Sequence, residues 1–182
     1  MFGEHSRHKV EDAGLEWGGE TGEPSPNLTQ SRSTRDTPRA LDGVRVLDVT
    51  GPAGFYCTKL MADLGADVVR VEAPNGRSAN SPGPFFGDQT DSNRSLYRWH
   101  YHTSKRSILL DIQAASDRKI FDSLLSVADV LVDTYRPSEA ADLGLDGPGI
   151  RQNHPALVHT SITGFGADGP RADYKATDIV AL

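Results

Sequence analysis

The sequence predicts an α/β protein, a Rossmann-like, mostly parallel sheet with flanking helices. Two observations carry that expectation. Short β-favouring runs alternate with segments whose apolar residues recur at helical spacing. The first of these runs, VRVLDV at 44–49, is nearly unbroken and ends abruptly in GPAG, as a buried parallel strand does when it turns into a helix.

Each element follows in order. After the turn, Cys57, Leu60, Met61 and Leu64 fall at i, i+3, i+4 and i+7, one apolar helical stripe, and Gly65 stands where a glycine ends a helix. ADVVRVE (66–72) is the second strand and completes a βαβ unit, whose crossover is right-handed. NGRSANSPGPFFGDQTDSN (75–93) is too long and too rich in Gly, Pro, Asn and Ser for a simple connection, and is expected to be a functional or mobile loop. SILLDI (107–112) reads as a strand, Phe121, Leu124, Leu125 and Ala128 as the stripe of a helix, and ADVLVD (128–133) as the next strand. TYRPSEAADLGL supplies a turn and a short helix stopped near Gly144, RQNHP another turn, and ALVHTSIT (156–163) a further strand. A last helix is expected after Asp178, with Ile179, Val180 and Leu182 as its first apolar residues. Because that periodicity is unfinished, the chain is expected to be a fragment or a truncated product.

Composition narrows the classes. The 182 residues suit one domain of ordinary size. Residues 1–40 carry Gly, Glu, Ser, Thr, Pro and Arg with few aliphatics, so they read as a disordered polar tail or linker, and 41–182 as the folded part. Lys and Arg number 19 against 25 Asp and Glu, a net charge of −6, the wrong sign for holding nucleic acid by phosphate neutralisation. No apolar run approaches the roughly 20 residues of a membrane span, and the start MFGEHSRHKV has no apolar export region. The expectation is a soluble, cytoplasmic protein without nucleic-acid or membrane partners. The single cysteine, Cys57, cannot form an internal disulfide, and neither it nor His100, His102, His154 and His159 shows metal-ligand spacing. Cys57 on an apolar stripe is expected to pack, and His159 within a strand to be structural.

Three places have the chemistry of a binding site. At the strand–GPAG–helix junction, Gly51, Ala53 and Gly54 would let a phosphate approach a helix N-terminus, or would merely form a tight turn. The G-x-G-x-x-G spacing of a dinucleotide fold is absent, although Glu72 ends the second strand where a ribose-binding acid would stand, so a nicotinamide-binding module is a remote alternative. In TSKRS and TYRP, the cations Lys105, Arg106 and Arg136 sit next to strand ends and would suit a phosphorylated ligand, or be solvated surface charges. In TGFG, Phe165 would lie against a ligand or plug the core between turns.

LDGVRVLDVT, LMADLGADVVRVEAPNG, SKRSILLDI, ADVLVDTYRPSEAADLGL, NHPALVHTSITGFGADGP and TDIVAL, in that order, resemble the N-terminal portion of the class III CoA-transferase (CaiB/BaiF) family, which includes formyl-CoA and carnitine-type transferases and 2-methylacyl-CoA racemases. The resemblance covers about residues 40–182. It implies a Rossmann-like large domain, an interlocked homodimer in the full-length protein, and reaction on acyl-CoA with a carboxylic acid acceptor. Coenzyme A is then a substrate, with no permanently bound cofactor and no metal. It further implies covalent catalysis, in which an aspartate attacks the thioester to give an anhydride, then an aspartyl-CoA thioester, before the acceptor takes the CoA. CoA-binding positions implied here are Pro52, Ala53, Ala73, Lys105, Arg106, Tyr135 and Arg136, with Thr177 and Asp178 as neighbours of the pocket.

Some positions depart from the family pattern. Pro52 stands where some transferases have glutamine, Ala73 where some have arginine, and Asp142 where relatives commonly have arginine. Racemases carry a histidine where this chain has Thr177, which argues against the racemase-type isomerase. The nucleophilic aspartate is expected beyond Leu182, so no residue of this chain is assigned as catalytic. A non-catalytic CoA-binding or interaction remnant is the alternative from another class.

Overall fold

The architecture comes from a computed structural model, which describes residues 38–74, 82–177 and Val180. Five strands, β1 (Arg45–Val49), β2 (Asp67–Glu72), β3 (Arg106–Leu109), β4 (Val130–Asp133) and β5 (Val158–Ser161), form one sheet. Their spatial order is β3-β2-β1-β4-β5, and all four pairings are parallel. The α/β expectation holds. The chain builds outward from β1 in one direction, then returns to add β4 and β5 on the other side, so the connection order reverses between β1 and β4. In open sheets of this kind the crevice at such a reversal, above the carboxyl ends of the strands, is where ligands bind.

Two-residue alternation along β1 and its neighbours assigns side chains to two layers. Leu47, Val49, Val71 and Leu131 point to one face and pack with Phe121 and Leu125 of α3 (Ala115–Val127). Ala140 of α4 (Pro137–Asp142), Leu143, Leu145 and Ile150 of α5 (Gly147–Asn153) close that layer. Val46, Val68 and Val132 point to the opposite face, against Ala62 of α1 (Phe55–Asp63) and Ala66. Gly65, at φ +111°, ends α1 as its position suggests.

Two helices escape the apolar periodicity. The first, α2 (Leu96–His102), follows the two 3₁₀ turns Phe86–Asp88 and Ser92–Arg94, the one inside the long loop and the other across its end. Its sequence LYRWHYH has no apolar stripe, and its start is marked only by Ser95, whose side chain accepts the Arg98 N–H. The second, α5, replaces the simple turn expected around RQNHP. Asp146 caps it by accepting the Gly149 N–H at 3.1 Å, and Pro148 sits in its first turn. The N-terminal tail, residues 75–81 of the loop, and Asp178 with most of the last expected helix lie outside the described residues. Among the described residues no helix is long and apolar enough to cross a membrane.

Candidate functional site

The crevice is assembled from three strand ends. Pro52 and Ala53 follow β1, Ala73 follows β2, and Tyr135 and Arg136 follow β4, so parallel register brings these five implied positions to one end of the sheet. A cleft there is lined by Val49, Thr50, Arg70, Glu72, Ala73 and Tyr135. Pro52, Ala53 and Ala73 are exposed.

The turns at its rim are cross-tied. The Gly51 N–H donates to Thr134 Oγ1 at 2.6 Å, and the Gly54 N–H to the Gly51 carbonyl at 2.9 Å, so two amides of the GPAG turn are already committed. A Cβ on Gly54 would stand 2.6 Å from Thr50 and 2.9 Å from Thr134, so the glycine is required by this close approach between the two turns. Across the reversal, Asp133 is fully buried and accepts the Tyr135 N–H at 2.9 Å. The other Asp133 oxygen accepts from Ser161 Oγ and lies against His159 Nε2, each at 2.7 Å. His159 is thereby tied to the buried Asp133 carboxyl beside the turn.

Arg136 lies over the start of α4. Its guanidinium donates to Glu139 Oε1 at 2.8 Å and to the Asp173 carbonyl at 3.1 Å, while Asp173 accepts the Ser138 N–H at 2.9 Å. That bond, with the side-chain contact to Ser138, holds the Asp173 carboxyl below its usual range. The segment carrying Lys175 and Thr177 is thereby latched beside the β4 turn. Thr177 is exposed, and Asp142 is exposed on α4. Phe165 meets Tyr174 edge-on at 6.3 Å and packs within that segment.

The other two cations go elsewhere. Arg106 is exposed and pairs with Asp67, the first residue of β2, at 2.5 Å, at the amino ends of the strands and opposite the cleft. Lys105 is turned inward, its side chain 1% exposed, where it donates to Asp48 at 3.0 Å, Thr58 Oγ1 at 2.7 Å and the Phe55 carbonyl at 3.2 Å. Burial pushes the Lys105 pKa down, a shift that the Asp48 charge opposes. Burial alone would raise the Asp48 carboxyl, but Lys105, Arg70 and the Thr50 hydrogen bonds hold it below the usual carboxylate range. Arg70 stacks on the Phe55 ring at 4.3 Å and bridges Asp48 and Glu72. His102 packs on the same ring at 4.7 Å, and burial together with the Arg70, Lys105 and Arg98 charges pushes its pKa down to about 4.

Sequence reasoning missed this buried network under the cleft. Its one visible signal was Arg70, a cation inside an otherwise apolar strand, where a buried charge demands a partner.

A doubly wound parallel sheet with a glycine-turned crevice at its reversal point defines an α/β protein of the open-sheet class. The sequence profile of CoA-transferase family III matches residues 41–182, and the chain belongs to that enzyme family. It is 39% identical over 135 residues to the succinyl-CoA:(R)-benzylsuccinate CoA-transferase subunit BbsE of Thauera aromatica, covering 74% of this chain and 33% of that protein. It is 42% identical over 130 residues to the succinyl-CoA:mesaconate CoA-transferase of Haloarcula hispanica, covering 70% and 32%. Among solved structures it resembles a CAIB/BAIF family protein from Brucella suis, with TM-score 0.69 and 30% identity over 79% of this chain and 38% of that one. The chain thus spans about a third of the length of the curated relatives it matches.

Proposed function

We propose that the protein transfers CoA between carboxylic acids, with these residues building much of the CoA-binding side. The observation that carries this reading is the meeting of the implied positions Pro52, Ala53, Ala73, Tyr135 and Arg136 at the reversal of a sheet whose family is that of CoA-transferases. In the proposed reaction an aspartate outside residues 1–182 attacks the thioester carbonyl and expels the CoA thiolate, leaving an acyl-aspartyl anhydride. The thiolate then attacks the aspartyl carbonyl and releases the donor acid, which gives aspartyl-CoA. The acceptor carboxylate attacks that thioester in turn, and the returning thiolate takes the acceptor acyl group and regenerates the aspartate. The role of this chain is to fix the nucleotide end of CoA so that the thioester is presented in one orientation. Lys105 would stabilise the frame of the site from beneath it, through Asp48 and Thr58, whereas the Arg106 pair with Asp67 lies at the other end of the sheet. The full-length protein is proposed to work as a homodimer in the cytoplasm, with coenzyme A as substrate and no resident cofactor.

Both relatives named above carry succinyl-CoA in their names, which makes it the first donor to test. Calorimetric titration of the chain with CoA tests the reading, with Ala73→Glu as control because a carboxylate at this exposed position would repel phosphate and narrow the cleft. Saturable binding weakened in the variant is expected. Absence of binding to a folded wild-type chain would remove the proposal that these residues hold CoA.

A further inference from the structure

The network beneath the cleft is out of balance. Among the described residues, three cations, Arg70, Arg98 and Lys105, share two carboxylates, Asp48 and Glu72. One positive charge is left over. Distances show which group carries it. Lys105 lies 3.0 Å from Asp48, and Arg70 lies 3.2 Å from Glu72 and 3.4 Å from Asp48, with both side chains nearly inaccessible. Arg98 reaches Glu72 only at 3.5 Å, through two nitrogens at the outer limit of a hydrogen bond, and its side chain is 28% exposed. Glu72, the acid that Arg98 reaches, lines the cleft beside the exposed Ala73.

We propose that Arg98 is a ligand-contacting residue, whose guanidinium turns from Glu72 to a phosphoryl group of the nucleotide in the cleft. The inference rests on the CoA reading above and adds to it a residue from α2. The chemistry is favourable because the planar fork of arginine matches two phosphoryl oxygens at once, and because Glu72 keeps Arg70 as partner when Arg98 leaves. An incoming anion also removes the surplus charge, which a neutral ligand would not. Arg98 therefore couples affinity to the presence of phosphate.

The test is calorimetric titration of wild type, Arg98→Gln and Arg98→Lys with CoA, 3′-dephospho-CoA and pantetheine. Arg98→Gln is expected to weaken CoA about 10- to 100-fold, the range of one lost charge-assisted hydrogen-bond pair, and to leave pantetheine unchanged. Equal weakening of CoA and 3′-dephospho-CoA assigns the contact to the diphosphate, and weakening of CoA alone assigns it to the 3′-phosphate. Wild-type affinity for CoA in Arg98→Gln, or an equal loss for pantetheine, overturns the inference while leaving the CoA reading intact. A folded wild-type chain that binds none of the three ligands overturns both. If Arg98→Gln does not fold, Arg98→Lys carries the comparison. It keeps the charge without the fork, so CoA is expected to weaken by about 3- to 10-fold, and unchanged affinity overturns the proposal.

Discussion

Two aspartates stand near the ends of neighbouring strands, Asp48 on β1 and Asp133 on β4, and both are fully buried. Their side chains leave opposite faces of the sheet and are satisfied in different ways. Asp48 is held by the charges of Lys105 and Arg70 together with the hydroxyls of Thr50 and Thr58. Asp133 is held by the Tyr135 N–H, Ser161 and His159. The first arrangement sets charge against charge in a dry place, so each member depends on all the others. The second gathers a backbone N–H, a hydroxyl and an imidazole around one carboxyl and pins a turn. One is a charged foundation under β1 and β2, and the other a local clamp on Tyr135 and Arg136.

The largest expected effect comes from removing the acid of the foundation. Asp48→Ala leaves Lys105 and Arg70 buried without their shared partner and is expected to cost about 3–5 kcal/mol, the range for breaking a buried ion pair from one side. Urea unfolding at constant m-value measures it. Asp133→Ala leaves hydrogen-bond donors unpaired and is expected to cost about 1–3 kcal/mol by the same titration. Equal costs would erase the distinction drawn between the two sites.

That contrast also marks how far the sequence could be read. The strands were legible, because Val46, Leu47, Val68 and Leu131 stand in short β-favouring runs; which side chain packs on which face was not, since both faces are apolar. The crevice was legible from the turns, since parallel strands bring GPAG, Ala73 and TYRP together once the strand order is known. The partners of Asp48 were not, because Lys105 lies 57 residues away and nothing local says that its long side chain folds inward. A strand-adjacent lysine looks the same in sequence whether it meets solvent or a buried acid. Helix α2 was hidden for a related reason: Tyr97 packs edge-on and Tyr101 at a tilt against Phe55, rather than along an apolar stripe.

Acid sharpens the comparison from the Asp48 side. The His102 pKa is about 4 in the folded chain against 6.5 for an ordinary histidine, so between those values the unfolded chain binds more protons. Stability is therefore expected to fall as pH drops through that window, by about 1–2 kcal/mol between pH 7 and pH 5. The Asp48 shift is also downward, so its contribution is retained above the ordinary carboxylate range and lost only at lower pH. Urea midpoints across this range should slope less in His102→Gln than in wild type. Equal slopes would mean that protons enter at other groups and that the cations around His102 do not govern its charge.

The smallest effect is expected where the same chemistry meets water. Arg45, at the start of β1, donates to Asp129 through its guanidinium at 3.0 and 3.1 Å, a forked pair closer than either bond between Arg98 and Glu72. Both partners are about half exposed, at 54% and 43%. Arg45→Gln is expected to leave the urea midpoint unmoved within error, since solvent screens the pair in the folded chain and replaces it when broken. The backbone N–H of Arg45, which donates to Asp129 at 2.8 Å, survives the substitution and keeps the strand start tied. A loss as large as that of Asp133→Ala would show that forked geometry outweighs burial in this fold, and the ranking of the two aspartates would then need distance rather than dehydration as its basis.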